Sequence, residues 1–282
     1  MTLLLGTHAH PAAGEAARRQ AAALGALAAL RGVVRVNLQW PGEPVEAEGF
    51  ETRAVLRGDS VRASGRPGVR KPLVRELFDR LCDAAEDAGA RCFCFTNADI
   101  HVRQALVDRV LAEPRDGWAV SRMDFDGATG RELEVVTRGL DTFVVSTAWW
   151  RRNRRGFRPY VVGERLWDNV YAARLCAGGD AVVLNRGAWT LHERHPTAWM
   201  GSPFDAYTMM LVAHDRVAFS RWARYHHALE ALRARGAGEA EEMALQRAAF
   251  GRRATARERA VEAAGVLRAR LRWALRRREG AG

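Results

Sequence analysis

The stretch "ARCFCFTN", residues 90–97, is the part of this chain that most limits its fold. It is a nearly continuous apolar run of strand length, closed off by Gly89 before it and by Asn97-Ala98-Asp99 after it. A strand that is apolar on both faces must be covered on both, which is the situation inside a parallel sheet flanked by helices. The surrounding sequence supplies matching pieces. "TLLLGTH" reads as a first strand, residues 14–30 as a helix, "VVRVNLQW" as a second strand stopped by the turn "PGEP", and "FETRAVL" as a weak third strand. Over residues 72–88, Leu73, Leu77, Leu81 and Ala84 fall on one face and Pro72 suits a first turn, so a helix is expected there. The intervening "GDSVRASGRPGV" has no clear period and reads as a loop.

Further along, the pattern predicts a helix over 102–112, one strand in "GWAVSRMDF", a turn at "DGATG", a strand in "DTFVVSTAWW" and a helix over 164–177. "DAVVLNRG" and "AWTLHERH" follow as the last sheet elements, and from about 205 the pattern is helical to the end. The expected class is α/β, a mostly parallel sheet flanked by helices with a C-terminal helical extension. The division falls at 1–204 and 205–282, without internal repeats.

Composition narrows the function classes. A chain of 282 residues that is 48% hydrophobic can bury a full core, which excludes disorder throughout. The most apolar helix, "AAALGALAAL", is broken off by Arg18, Arg19 and Arg31, well short of a membrane span. "MTLLLGTHAH" has no positive charge ahead of its apolar run, which argues against a secretory signal and for a cytoplasmic protein. Cys82, Cys92, Cys94 and Cys176 are too few and too irregular for a disulfide framework; Cys92 and Cys94 read as small core residues on one strand face. The net charge of +11 suggests an anionic partner, and much of it lies in Arg151–Arg158 and in the tail. Arginine excess also follows genome composition, so nucleic acid is not the expected partner.

Strand carboxyl ends form the ligand crevice of open parallel sheets, and Asn97 and Asp99 lie just past such an end. Glu164 and Asp168 are four apart near the start of a predicted helix, which places both on one face where the helix dipole favours negative charge. Either role, chemistry or helix stabilisation, suits them. His192 and His195 meet at one edge only if a turn falls between them, since a straight strand would separate them. Arg66, with Arg70 and Lys71, forms a basic loop suited to a diphosphate or to solvent. Arg122 and Asp124 either bracket a sugar hydroxyl or pair across a strand edge.

Four ordered segments, "CFTNADI", "GLDTFVVS", "YVVGERLWDNVYAARL" and "AWTLHERHPTAW", resemble bacterial glycosyltransferase-like proteins of the nucleotide-diphosphosugar transferase superfamily, over roughly residues 1–200. The resemblance implies a GT-A (Rossmann-like) fold and transfer of a sugar from a nucleotide-sugar donor to a saccharide, lipid-linked or other hydroxyl acceptor. It also implies Mg²⁺ or Mn²⁺ at an Asp-x-Asp motif, which here reads Asn97-Ala98-Asp99. On that basis Asp99 is the expected metal ligand, helped by His192 and His195, and Asp168 or Glu164 is the expected base. Asn97, Asp99, Arg66 and Arg122 are the candidate donor- and sugar-contacting residues, and the resemblance implies that Asp141 helps build the acceptor side. The alternative is a non-catalytic nucleotide-sugar-binding or assembly protein on the same scaffold. A nucleotidyltransferase would need triphosphate-handling glycines that the sequence lacks. In the tail, Ala260, Ala263, Ala264, Leu267, Leu271 and Leu275 make a stripe among arginines. Such a helix suits peripheral contact with an anionic membrane, self-association, or packing on the rest of the chain.

Overall fold

A computed structural model describes residues 2–195 and 201–251, together with Thr255, Ala256, Glu258, Ala260, Val261, Ala263, Ala264 and Leu267. Leu271, Leu275 and the end of "LHERHPTAW" lie outside the described residues, so the tail stripe is described only in part.

The main sheet is built from β1 (Leu3–Thr7), β2 (Val33–Gln39), β3 (Glu51–Ala54), β4 (Cys92–Thr96), β6 (Gly117–Val120), β9 (Thr142–Ser146) and β10 (Ala181–Leu184). Its order is β10-β6-β9-β4-β1-β2-β3, and of its strands only β9 runs against its neighbours, lying between β4 and β6. The fold is thus a mixed α/β sheet of seven strands flanked by helices.

β4 explains why the apolar run is continuous. Phe93 and Phe95 point to one layer, with Phe78, Phe143, Trp150, Trp167 and Tyr171, under helices α3 (Val74–Asp87), α5 (Thr147–Asn153) and α6 (Trp167–Gly178). Cys92 and Cys94 point to the other, with Leu24, Leu27, Leu106 and Trp118, under α1 (Gly14–Ala28) and α4 (Gln104–Ala112). All four cysteines are free and buried.

A second, four-stranded sheet has the order β5-β11-β7-β8, from β5 (Ile100–Val102), β7 (Arg122–Phe125), β8 (Glu132–Val136) and β11 (Thr190–Glu193). It corrects the sequence reading in two places. "GWAVSRMDF" is two strands, not one: the chain leaves the main sheet at Ser121, whose buried hydroxyl lies 2.9 Å from Asn185 Oδ1, and enters the small sheet as β7. β8 was not foreseen. Elsewhere, "GDSVRASGRPGV" contains the short helix α2 (Ser60–Ser64), started by Asp59, whose carboxylate accepts from the Arg62 N–H at 2.8 Å.

Helices α8 (Arg216–Ala234) and α9 (Glu239–Phe250) pack against α6, α7 (Asp205–His214) packs against α8, and Tyr207, Trp222, Tyr225 and Phe250 join the same core as Phe93. Asp215, fully buried between α7 and α8, accepts from Tyr160 Oη at 3.1 Å, Arg158 Nε at 3.3 Å and Arg174 Nε at 3.1 Å. The arginine run is likewise engaged: Arg151 pairs with Asp83 and Glu86, and Arg154 with Asp79. No described helix is long and apolar enough to cross a membrane.

Candidate active site

Strand register assembles the site. His192 on β11 lies opposite Asp124 on the parallel neighbour β7 and opposite Ile100 on the antiparallel neighbour β5. Asp99 immediately precedes Ile100, so the pairing of short strands 92 residues apart in sequence sets that carboxylate beside the imidazole. The chain then turns after Glu193 and returns His195. His192 Nε2 and His195 Nε2 are 3.1 Å apart, and Asp99 Oδ2 lies 3.7 and 3.5 Å from them.

These are the dimensions of a coordination triangle. Ligand atoms about 2.1 Å from one ion stand about 3.0 Å apart at right angles and about 3.4 Å apart at tetrahedral angles. Among the described residues this is the group of histidine and carboxylate atoms that fits a metal, all within 4.8 Å of one another. The support behind it agrees. Asp124 Oδ1 lies 3.0 Å from His192 Nδ1. A carboxylate only accepts, so Nδ1 carries the proton and Nε2 presents its lone pair toward Asp99 and His195. Burial pushes the Asp99 carboxyl upward, but the hydrogen bond from His195 and the positive charge that the two imidazoles carry when protonated and no metal is bound outweigh it and hold Asp99 below the usual carboxylate range. Asp124 is also held low: the His192 hydrogen bond and the Arg122 charge overcome its burial.

Asn97 stands where the resemblance leads one to expect the first carboxylate. Its amide Nδ2 donates to Asp141 Oδ1 at 2.8 Å, and its backbone N–H to the Asp141 carbonyl at 3.2 Å. That orientation leaves Asn97 Oδ1 buried without a partner among the described residues, an acceptor open to a hydroxyl or to a metal-bound water. The other Asp141 oxygen accepts from Arg122 Nη1 at 2.7 Å.

Asp168 is in the first turn of α6, after Leu166 at φ 72°, a left-handed conformation that costs a leucine energy. Its Oδ2 accepts from the Leu140 N–H at 3.1 Å. Burial pushes this carboxyl up to about 7, and the neighbouring Asp141 charge adds to the rise. Glu164 is a correction. It precedes α6 rather than lying on it, so it shares no helix face with Asp168, and its buried carboxylate is taken by Lys71 Nζ at 2.7 Å. Arg66 is exposed in the loop after α2, where its backbone N–H bonds Ser64 Oγ. Asp99 is separated from α4 by β5, and Arg103 is the residue at the start of that helix.

Two histidines escaped the sequence reading. His10 emerges after β1, the parallel neighbour of β4, and its backbone is gripped on both sides by the Gln20 amide. Burial lowers its pKa, opposed by the charge of Asp99 and aided by that of Lys71. His101 follows Asp99 on β5, and burial lowers it too, against the pull of Glu193 and Asp99. A His-x-His step directly past the first strand, at the edge where Asn97 and Asp99 emerge, was the available signal.

No protein-family model and no curated protein matches the sequence significantly. Among solved structures, residues 1–349 of S. aureus TarS are 13% identical, with 79% of this chain and 71% of that one covered at a TM-score of 0.47. Against a longer TarS chain the share falls to 43% of its length, at a TM-score of 0.44. A mannosyltransferase of Pyrobaculum calidifontis, PcManGT in complex with GDP-Man and Mn²⁺, is 14% identical over 99% of this chain and 79% of its own, with a TM-score of 0.42. The galactosyltransferase LgtC, in complex with donor and acceptor sugar analogs, is 11% identical over 74% and 94%, with a TM-score of 0.37. No assignment follows from scores at this level.

Proposed function

We propose that the protein is a metal-dependent glycosyltransferase that moves a sugar from a nucleotide-sugar donor to an acceptor hydroxyl. The observation that carries this reading is the triangle of Asp99, His192 and His195 at the carboxyl edge of a buried parallel strand. Asp99 and the two imidazoles would hold a divalent cation, which supplies positive charge against the diphosphate of the donor. Two nitrogen ligands beside one carboxylate suit Mn²⁺ better than Mg²⁺, which prefers oxygen and water.

The chain's own groups then take distinct parts. Asn97 Oδ1 accepts a hydroxyl hydrogen bond from ribose or sugar. Asp168, rather than Glu164, receives the proton of the acceptor hydroxyl, because Glu164 is neutralised by Lys71 while Asp168 titrates near 7, where a general base works well at neutral pH. Residues 1–204 carry these groups, and α8 and α9, within the extension that starts at 205, support α6. Location in the cytoplasm, with the tail at the inner membrane face, fits an acceptor linked to lipid.

The test is calorimetric titration of nucleoside diphosphates with and without Mn²⁺. Binding that requires Mn²⁺ and is lost in D99A and H192A is the expected result. Binding indifferent to the metal and to both substitutions sinks the proposal. For transfer itself, D168N should lower kcat by about 10²–10⁴-fold with diphosphate affinity kept.

A further inference from the structure

Arg122 lies between the two halves of this site and is not itself placed to touch a metal. Its guanidinium forks: Nη1 donates to Asp141 Oδ2 at 2.7 Å, and Nε lies 3.1 Å from Asp124 Oδ1. Each carboxylate in turn holds one site residue by a single atom. Asp124 Oδ1 fixes the proton and ring plane of His192 at 3.0 Å, and Asp141 Oδ1 fixes the amide of Asn97 at 2.8 Å. The chain Asn97–Asp141–Arg122–Asp124–His192 therefore crosses from the loop after β4, in the main sheet, to β11, in the small one. Bare backbone makes room for it, since a Cβ on Gly139 would stand 3.2 Å from the guanidinium carbon. The Arg122 backbone N–H also bonds the Gly139 carbonyl at 3.1 Å, which fixes where the fork starts.

Without Arg122, Asp141 would keep the Asn97 amide as its side-chain donor and Asp124 would keep His192 and the distant Arg194, so both carboxylates could turn away from the groups they orient. Arg194 also reaches Asp124, at 3.4 Å, but its side chain is 48% exposed and also pairs with Glu134 on the surface, so it cannot set the carboxylate's direction. We propose that Arg122 is the positioning residue of the site: its two-pronged grip makes the orientation of His192 and that of Asn97 one unit, so metal affinity depends on a side chain that is not a ligand. This rests on the metal-dependent reading above, and carboxylates that orient ligating imidazoles are known to matter by 10–100-fold in affinity.

The test is Mn²⁺ affinity of the full chain, by calorimetry and by the fraction of free Mn²⁺ in EPR at one pH, with thermal melts to confirm folding. R122K keeps the charge but not the fork, and R122M loses both. Each should weaken Mn²⁺ about tenfold, as should D124N, whereas R194M stays within about twofold of wild type. The double variant R122M/D124N should be no weaker than D124N alone, because both act through His192; a merely structural arginine would give losses that add. Unchanged affinity in R122K and R122M, with H192A losing it, overturns the inference and leaves the metal site standing, as would additive losses in the double variant. Wild-type protein that binds no Mn²⁺ overturns both.

Discussion

At position 97 a carboxylate would stand 2.8 Å from a carboxylate oxygen of Asp141, where the asparagine now donates a proton. The neutral amide is therefore demanded by its partner, and the departure from Asp-x-Asp is a local exchange of charge for a hydrogen bond. N97D should cost about 1–3 kcal/mol in urea melts at pH 8 and restore no metal affinity, while N97D/D141N recovers part of the loss. An N97D protein as stable as wild type would break the pairing. Asp168 gives a second residue-scale prediction, with a sign fixed by burial. A carboxyl raised from 3.8 to about 7 holds more protons folded than unfolded between those values. Its contribution to stability is complete below pH 3.8 and is lost as the pH climbs through about 7. D168N removes that loss and keeps an acceptor for Leu140. The stability difference should thus move toward D168N by on the order of a few kcal/mol between pH 4 and 8. Melts that track each other across this range would show that Asp168 does not titrate there.

Elements with a clear local pattern were legible: α3 from its leucine face, β4 from its unbroken apolar run, β1 and β2 from short apolar runs, and α1 from the longer helical stretch between them. What stayed hidden was the small sheet. Its strands are three to five residues long, and β11 pairs with β5 and β7 across long gaps in sequence, so nothing local distinguishes β8 from a loop or marks the break at Ser121. The start of α6 was misplaced for a related reason, because Leu166 in a left-handed conformation carries no sequence mark. Asp99, His192 and His195 could be named from the resemblance, but Asp124 as the partner of His192 follows only from register. At this scale the joint between helices is testable. Asp215 accepts from Tyr160, Arg158 and Arg174 at full burial, and D215A leaves two guanidinium groups facing an absent charge. A loss of about 3–5 kcal/mol is expected in urea unfolding followed by tryptophan fluorescence, with D215N milder. A loss under 1 kcal/mol would mean that the cluster is not what fastens α7 and α8 to α6.

The whole molecule decides whether 205–282 is an appendage. β10 is an edge strand of the main sheet, and its free side is covered by a side chain of α9: Gln246 Oε1 accepts from the Val183 N–H at 2.9 Å and Nε2 donates to the Ala181 carbonyl at 2.7 Å. Open sheet edges recruit other chains, and a polar side chain that mimics the next strand prevents it. Trp222, Tyr225 and Phe250 meanwhile close the core that contains Phe93 and Trp167, and Arg186 and Arg233 both pair with the buried Glu242. The sequence division at 204 therefore marks where the pattern changes, and it need not mark a unit that folds alone. A fragment ending at residue 204 should bind a dye for exposed apolar surface, lose near-ultraviolet dichroism and sediment as aggregates. A chain ending at residue 251 should stay monodisperse with wild-type dichroism. Q246A in the full chain should cost about 1–3 kcal/mol, since it leaves a buried N–H and a buried carbonyl unpaired. A soluble, cooperatively melting 1–204 fragment would refute this account and make the helices a true addition to a self-sufficient sheet.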